Sequence, residues 1–199
     1  VSYKRLLELE RQLQAEVEEL FARGEQAEQS DERAGLVIPD EIALRQARLA
    51  HLAEAKAVLE ARAQARYQAE QADYESKVRA REEKARKKKH KPRGKAPKPP
   101  TPGPQDKDQY NFTDPDSRIM KNSTDAGFDQ HYNAQAAVEQ DSCLIVANGL
   151  SNHPNDKAEA LPTLDALAPE LGQPAAAALD NGFFSEANIA GMEARGIEP

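Results

Sequence analysis

The chain is short of the residues from which large cores are built. Its 199 residues include no tryptophan, one cysteine and two methionines, and aromatic residues make up only 5%. No stretch of 18 or more apolar residues occurs, which excludes a membrane-spanning helix of ordinary length. A single cysteine excludes a disulfide framework. Cys143, set in an apolar run, reads as an inert core thiol in a reducing cytosol. With one cysteine and scattered His51, His90, His131 and His153, no zinc-ligand spacing is present, and no glycine-rich phosphate loop is found. Internal repeats are absent too. The first residues, Val1-Ser2-Tyr3-Lys4-Arg5, carry neither an initiator methionine nor a signal-peptide pattern, and Gly196-Ile197-Glu198-Pro199 follows directly on a helix. Both ends read as cut edges of a longer protein.

What is present is charge: 31% of residues are ionisable and the mean hydropathy is −0.81. The net charge of −7 is unevenly spread. From Lys84 to Lys98 the chain carries Lys84, Arg86, Lys87, Lys88, Lys89, Lys91, Arg93, Lys95 and Lys98 with no acid among them. Attraction to phosphate is local under physiological screening, so this block and not the acidic average governs partners. Contact with a nucleic-acid backbone is one reading of it, and a solubilising spacer is the other.

Periodicity divides the chain into three parts. Leu6, Leu9, Leu13, Val17, Leu20 and Phe21 recur at helical spacing from Lys4 to about Arg23, with Gly24 as a stop. A loop is expected from Gly24 to Val37. Pro39-Asp40-Glu41 opens a long helix to about Lys89, whose thin apolar stripe (Ile42, Leu49, Leu52, Leu59, Tyr67, Tyr74, Val78) suits a helical hairpin or coiled coil. Residues 1–89 are thus a helical arm. Residues 90–109, with prolines from Pro92 to Pro104, form a basic extended linker without a fold of its own. Residues 110–199 are α/β: strands are expected over Ser117–Lys121, Gln130–Val138, Leu144–Leu150 and Ala175–Leu179. Helices are expected over Asp156–Leu171, bent near Pro162, and over Ser185–Arg195, with Ser185 as N-cap and Gly196 at the end.

Two acidic landmarks stand out, Asp114-Pro115-Asp116-Ser117-Arg118 before a strand and Asp180-Asn181-Gly182-Phe183-Phe184-Ser185 after one. Carboxylates at strand ends of an α/β layout are where metal ions and phosphates are usually handled. The segments Thr113-Asp114-Pro115-Asp116-Ser117-Arg118-Ile119-Met120, His131-Tyr132-Asn133-Ala134-Gln135-Ala136-Ala137-Val138, Leu144-Ile145-Val146-Ala147, Asn155-Asp156 and Leu179 to Ile189 occur in an order and spacing that resemble the front half of the catalytic domain of DDE-type bacterial insertion-sequence transposases. That resemblance implies an incomplete RNase H-like mixed sheet with helices, preceded here by the helical arm and basic linker. It also implies metal-dependent cleavage and transfer of DNA strands, with two Mg²⁺ or Mn²⁺ ions held by carboxylates in the complete enzyme.

Carried over by position, Asp180 is the second acid. The first is Asp114 or Asp116, with Asp116 favoured because it directly precedes the strand; Asp114 could instead cap the proline turn. The third, a glutamate, has no match and is expected beyond Pro199. Glu186 and Glu193 read as surface charges. Asn133 or Gln135 would orient a metal-bound water or a phosphate, or else satisfy buried backbone groups. Asp156 would favour the start of the next helix. Arg118 and Lys121 would touch phosphate or line a wet face. Lys87, Lys88, Lys89, Lys91, Arg93 and Lys95 are the candidate DNA contacts, in a nucleoid-associated cytoplasmic protein expected to act as a homodimer on paired DNA ends. The sequence departs from the family pattern at His131, where a glycine is usual, at Glu139, for an aspartate, and at Phe183, for a tyrosine. Rival readings are a non-catalytic nucleic-acid-binding protein using the linker and a helical dimerisation arm, a nuclease of the same fold, and an architectural coiled-coil protein.

Overall fold

The computed structural model describes residues 1–29, 37–88, 94–122 and 127–199, which form two compact units, Val1–Phe112 and Thr113–Pro199. Among the described residues no helix is long and apolar enough to cross a membrane.

The first unit is built on two antiparallel helices, α1 (Tyr3–Gln29) and α2 (Ile38–Lys88). Gly24 does not end α1. The helix runs through it to Gln29, and the missing side chain faces Ile38 of α2, which a Cβ would meet at an ordinary 3.8 Å. The seam is narrow: Leu6, Leu52, Ala55 and Leu59 are buried together with Tyr110, and Leu9, Leu13 and Val58 pack around them. Leu52, Leu59 and Leu6 belong to the expected stripes, whereas Ala55 and Ala63 complete a face that larger residues alone do not reveal. Phe21 is half exposed. Ion pairs flank the seam, Lys56 to Glu10 at 2.9 Å and Arg45 to Glu16 at 2.9 Å, with a further bond from Arg45 to Glu41 one turn away.

The described part of the proline-rich segment, from Gly94 onward, has no helix or strand, yet it is fastened along α2. Arg81 donates to the carbonyls of Gly94 (2.7 Å) and Lys95 (3.2 Å). Arg66 donates to Gly103 O and grips both oxygens of Asp108 at 3.1 and 2.9 Å. Proline removes a donor but leaves its carbonyl, so a proline-rich strap is held well by arginines. The strap ends by capping α1: Tyr3 N and Lys4 N, two of the amides a helix start leaves unpaired, donate to Asp108 O and Asp106 O. Tyr110 then fills the seam, under the Arg62 guanidinium at 5.9 Å and edge-on to Phe112 at 5.2 Å. Residues 94–109 thus belong to the same compact unit as the helices.

The second unit mixes helices with small antiparallel sheets. Strands β1 (Arg118–Lys121) and β2 (Phe128–His131) form one hairpin, and β3 (Asn133–Val138) and β4 (Ile145–Ser151) form another. The expected single strand from Gln130 to Val138 is broken at Tyr132, where pairing passes from one sheet to the other. Ala175–Leu179 is not a strand. It contributes one parallel bridge, Ala176 to Glu198, because an alanine run lacks the branched side chains that hold a ladder. Among the described residues the sheets number two, each of two strands, in place of one mixed sheet. Val138, Ile145 and Leu150 accordingly stay more than half exposed.

The expected helix from Asp156 to Leu171 is three pieces: a 3-10 turn (Asp156–Ala158), α3 (Ala160–Asp165) and a 3-10 turn (Pro169–Leu171). Pro162 lies in the first turn of α3, where its missing N–H costs nothing, and Pro169 opens the next turn for the same reason. Helix α4 (Glu186–Ala194) starts as expected, with Ser185 Oγ accepting from Asn188 N. It packs on α3 through Gly191, where a Cβ would lie 2.5 Å from Leu161 Cδ1. Cys143 is no core residue. It is exposed, at φ 58°, in the β3–β4 turn.

Leu59 is 2% exposed, and Leu59→Ala is expected to cost the helical unit about 2–4 kcal/mol, read as a lower urea midpoint with an unchanged slope. Burial pushes the Asp108 carboxyl up, but the Arg66 bond, the Gln105 amide and nearby positive charge outweigh it, and its pKa ends below the ordinary value. A depressed carboxylate contributes stability above its unfolded pKa and loses it as pH falls through the folded one. The unit should therefore weaken as pH drops below about 4, and Asp108→Asn should remove that component of the acid transition in circular dichroism.

Candidate functional site

The Asp114–Ser117 turn is a polar knot. Asp114 Oδ1 accepts from Asp116 N (3.2 Å), and Asp114 O accepts from Ser117 N and Ser117 Oγ. The Tyr132 hydroxyl reaches both Asp114 oxygens, at 2.8 and 2.9 Å. Arg118 turns back and donates to the carbonyls of Pro115, Asp116 and Ser117 at 2.7–3.0 Å, so its guanidinium holds the turn. Asn152, just past β4, donates to Asp116 O (3.3 Å) and ties the turn to the second sheet. Asp114 is thus occupied as a turn cap, while the exposed Asp116 carboxylate takes part in none of these bonds.

Asp180 lies exposed at the end of the extended Ala175–Leu179 segment, where its Oδ1 accepts from Gly182 N at 2.6 Å and caps a 3-10 turn, Asn181–Phe183. A second carboxylate closes on the same α-carbon. A Cβ on Gly182 would stand 2.8 Å from Asp180 Oδ1 and 3.1 Å from Asp156 Oδ2. Asp156 is held from the other side: its Oδ1 accepts from Asn133 Nδ2 (2.7 Å) and Gln135 Nε2 (2.8 Å), neighbours on one face of β3. The sequence assigned Asp156 to a helix start and the two amides to a ligand or to backbone groups. It missed that the three side chains meet, because their contact spans more than 20 residues.

A further tie runs through Asn188, which is buried. Its Nδ2 donates to Lys157 O (3.0 Å) and Phe183 O (2.6 Å), and fastens the Asp156 turn to the Asp180 turn. Its place three residues after the N-cap Ser185 was the available signal. Glu139 caps the β3–β4 turn by accepting from Ser142 and from the Asp141 amide, and these bonds lower its pKa. His131 contacts Asn122 Oδ1 at 2.9 Å. A groove of about 650 Å³ opens alongside, lined by Lys121, Asn122, His131, Tyr132, Asn133 and Asp156 among others.

The carboxylates therefore stand as Asp114 with Asp116 on one turn, and Asp156 with Asp180 about Gly182. Among the described residues no three His, Cys, Asp or Glu side chains converge to hold a metal ion. In the first unit, Lys84, Arg86 and Lys87 are exposed on the last turns of α2, and Lys95 and Lys98 are exposed on the strap. Lys88 ends α2, and Lys89, Lys91 and Arg93 lie outside the described residues.

The hydrogen bond to Asp114 raises the Tyr132 pKa, with burial and the Asp114 and Asp116 charges adding to it and Arg118 opposing. The Tyr132 ring should titrate by NMR above the ordinary tyrosine value of about 10, and Asp114→Asn should return it toward that value. An unchanged titration in the variant would contradict the contact.

Comparison with family models, with curated proteins and with solved structures finds no match to this chain.

Proposed function

We propose that the chain carries the metal-binding core of a DDE-type DNA transposase, which cleaves and transfers DNA strands. The observation that carries this reading is the Asp180 turn. An exposed carboxylate ends an extended segment, held by a bond from the Gly182 amide and flanked by a second carboxylate, at the position where the motif order resembles the family's second acid. Asp116 supports it, since its carboxylate is left open while Asp114 is consumed by the turn. The donor set is entirely oxygen, which suits Mg²⁺ or Mn²⁺ and not a soft metal. Asp116 and Asp180 would hold the ion, whose chemistry is to acidify an attacking water or 3′-hydroxyl and to stabilise the departing oxygen. The chain's own residues do the positioning: Arg118 and Tyr132 lock the first turn, and Asn188 locks the second. The basic residues around the end of α2, Lys87 and Lys95 among them, bind the DNA backbone.

The second reading is a non-catalytic nucleic-acid-binding protein, supported by the exposed Lys84, Arg86 and Lys87 on the last turns of α2, which need none of the acids. Metal binding separates the two. Mn²⁺ should bind the chain, and Asp180→Asn should weaken that binding while leaving DNA affinity intact or higher. DNA binding by a wild-type chain that takes up no Mn²⁺ would favour the rival. In either case affinity should fall steeply with salt, and Lys87→Ala or Lys95→Ala should each reduce the log–log slope by about 1. A flat salt dependence would contradict both readings.

A further inference from the structure

We infer that Asp156 is a positioning residue, which sets the Asp180 carboxylate against β3; the inference rests on the reading of Asp180 as a metal-holding acid. Asp180 stands at the end of an extended segment with a single bridge, Ala176 to Glu198, so that segment alone does not fix it. What fixes it is the Asp156–Ala158 turn, which is bound on two sides. Toward the sheet, Asp156 Oδ1 takes both amides of Asn133 and Gln135, the latter only 9% exposed. Toward the Asp180 turn, Lys157 O takes Asn188 Nδ2, which also holds Phe183 O. Ser185 Oγ reaches the same Lys157 carbonyl at 3.4 Å. Between these anchors Asp156 Oδ2 faces Gly182, whose amide is the one that Asp180 binds.

The arrangement gives Asp156 a task distinct from that of a ligand. One oxygen is spent on two neutral amides, and the residue acts on Asp180 through the Gly182 backbone. Outer partners of this kind typically change metal affinity by roughly 10–100-fold when removed. An asparagine can do the same work, since its Oδ1 accepts from both amides, whereas alanine cannot.

The test uses the 199-residue chain with Mn²⁺ alone as probe, and reads the Gly182 amide by NMR. Asp156→Ala should speed hydrogen exchange at Gly182 by roughly tenfold or more and weaken Mn²⁺ broadening near Asp180, with Met192 and the first unit unperturbed. Asp156→Asn should leave Gly182 exchange as in the wild type. Wild-type exchange at Gly182 in Asp156→Ala would overturn the inference, as would an Asp156→Asn variant as damaged as the alanine. Should Asp156→Ala not fold, Asn133→Ala removes one donor and should give a smaller acceleration in the same direction; none would overturn the inference. If wild-type resonances do not respond to Mn²⁺ at all, the metal-holding reading fails, while Gly182 exchange still decides the role of Asp156.

Discussion

The constraint on which the rest depends is the scarcity of large apolar side chains. Among the described residues Leu6 and Met192 are the largest side chains buried completely, one in each unit. Cores this small leave geometry underdetermined, because apolar burial is non-directional and its yield scales with area. Direction comes instead from polar side chains reaching backbone or one another over long sequence distances. Arg66 with Asp108 and Arg81 with the strap carbonyls do this in the first unit. Asp156 with Asn133 and Gln135, and Asn188 with two carbonyls, do it in the second. Such bonds are worth about 1 kcal/mol each when made and more than that when one partner is left stranded. The fold is therefore specified by ties that a substitution breaks singly.

This division explains what could be read from the chain. The two long helices were legible because helical periodicity is local, and Ser185 was legible because a cap and its helix are adjacent in sequence. The same holds for Asp114 as a turn cap, one of the two roles the residue type allowed. The break at Tyr132 was hidden, since apolar-polar alternation continues across it while the pairing partner changes. Ala175–Leu179 read as a strand because it is apolar, but nothing in an alanine run specifies a neighbour. The strap was the largest surprise. Prolines signal an extended chain truthfully, yet the arginines that hold its carbonyls lie 13 or more residues away.

The candidate site follows the same logic. Sequence order singled out Asp114, Asp116 and Asp180, and the structure sorts them by occupation: Asp114 is committed to Tyr132 and to its turn, Asp116 takes part in no bond of that turn through its carboxylate, and Asp180 caps its own turn while staying exposed. Asp156 could not be ranked from sequence, because its role lies wholly in contacts to β3 and Gly182. A site assembled from turns needs such brackets, since neither two-stranded sheet holds the acids by itself. The basic block at the end of α2 belongs to the first compact unit, and under the proposed function it supplies affinity for phosphate.

The central claim is that Asp116 and Asp180, and not Asp114, are the carboxylates available to a divalent ion. Titration of Mn²⁺ into the chain, followed by electron paramagnetic resonance, tests it directly. Asp116→Asn and Asp180→Asn should each weaken binding, and Asp114→Asn should leave it nearly unchanged once folding is verified. Loss of binding in Asp114→Asn with wild-type affinity in Asp116→Asn would contradict the assignment.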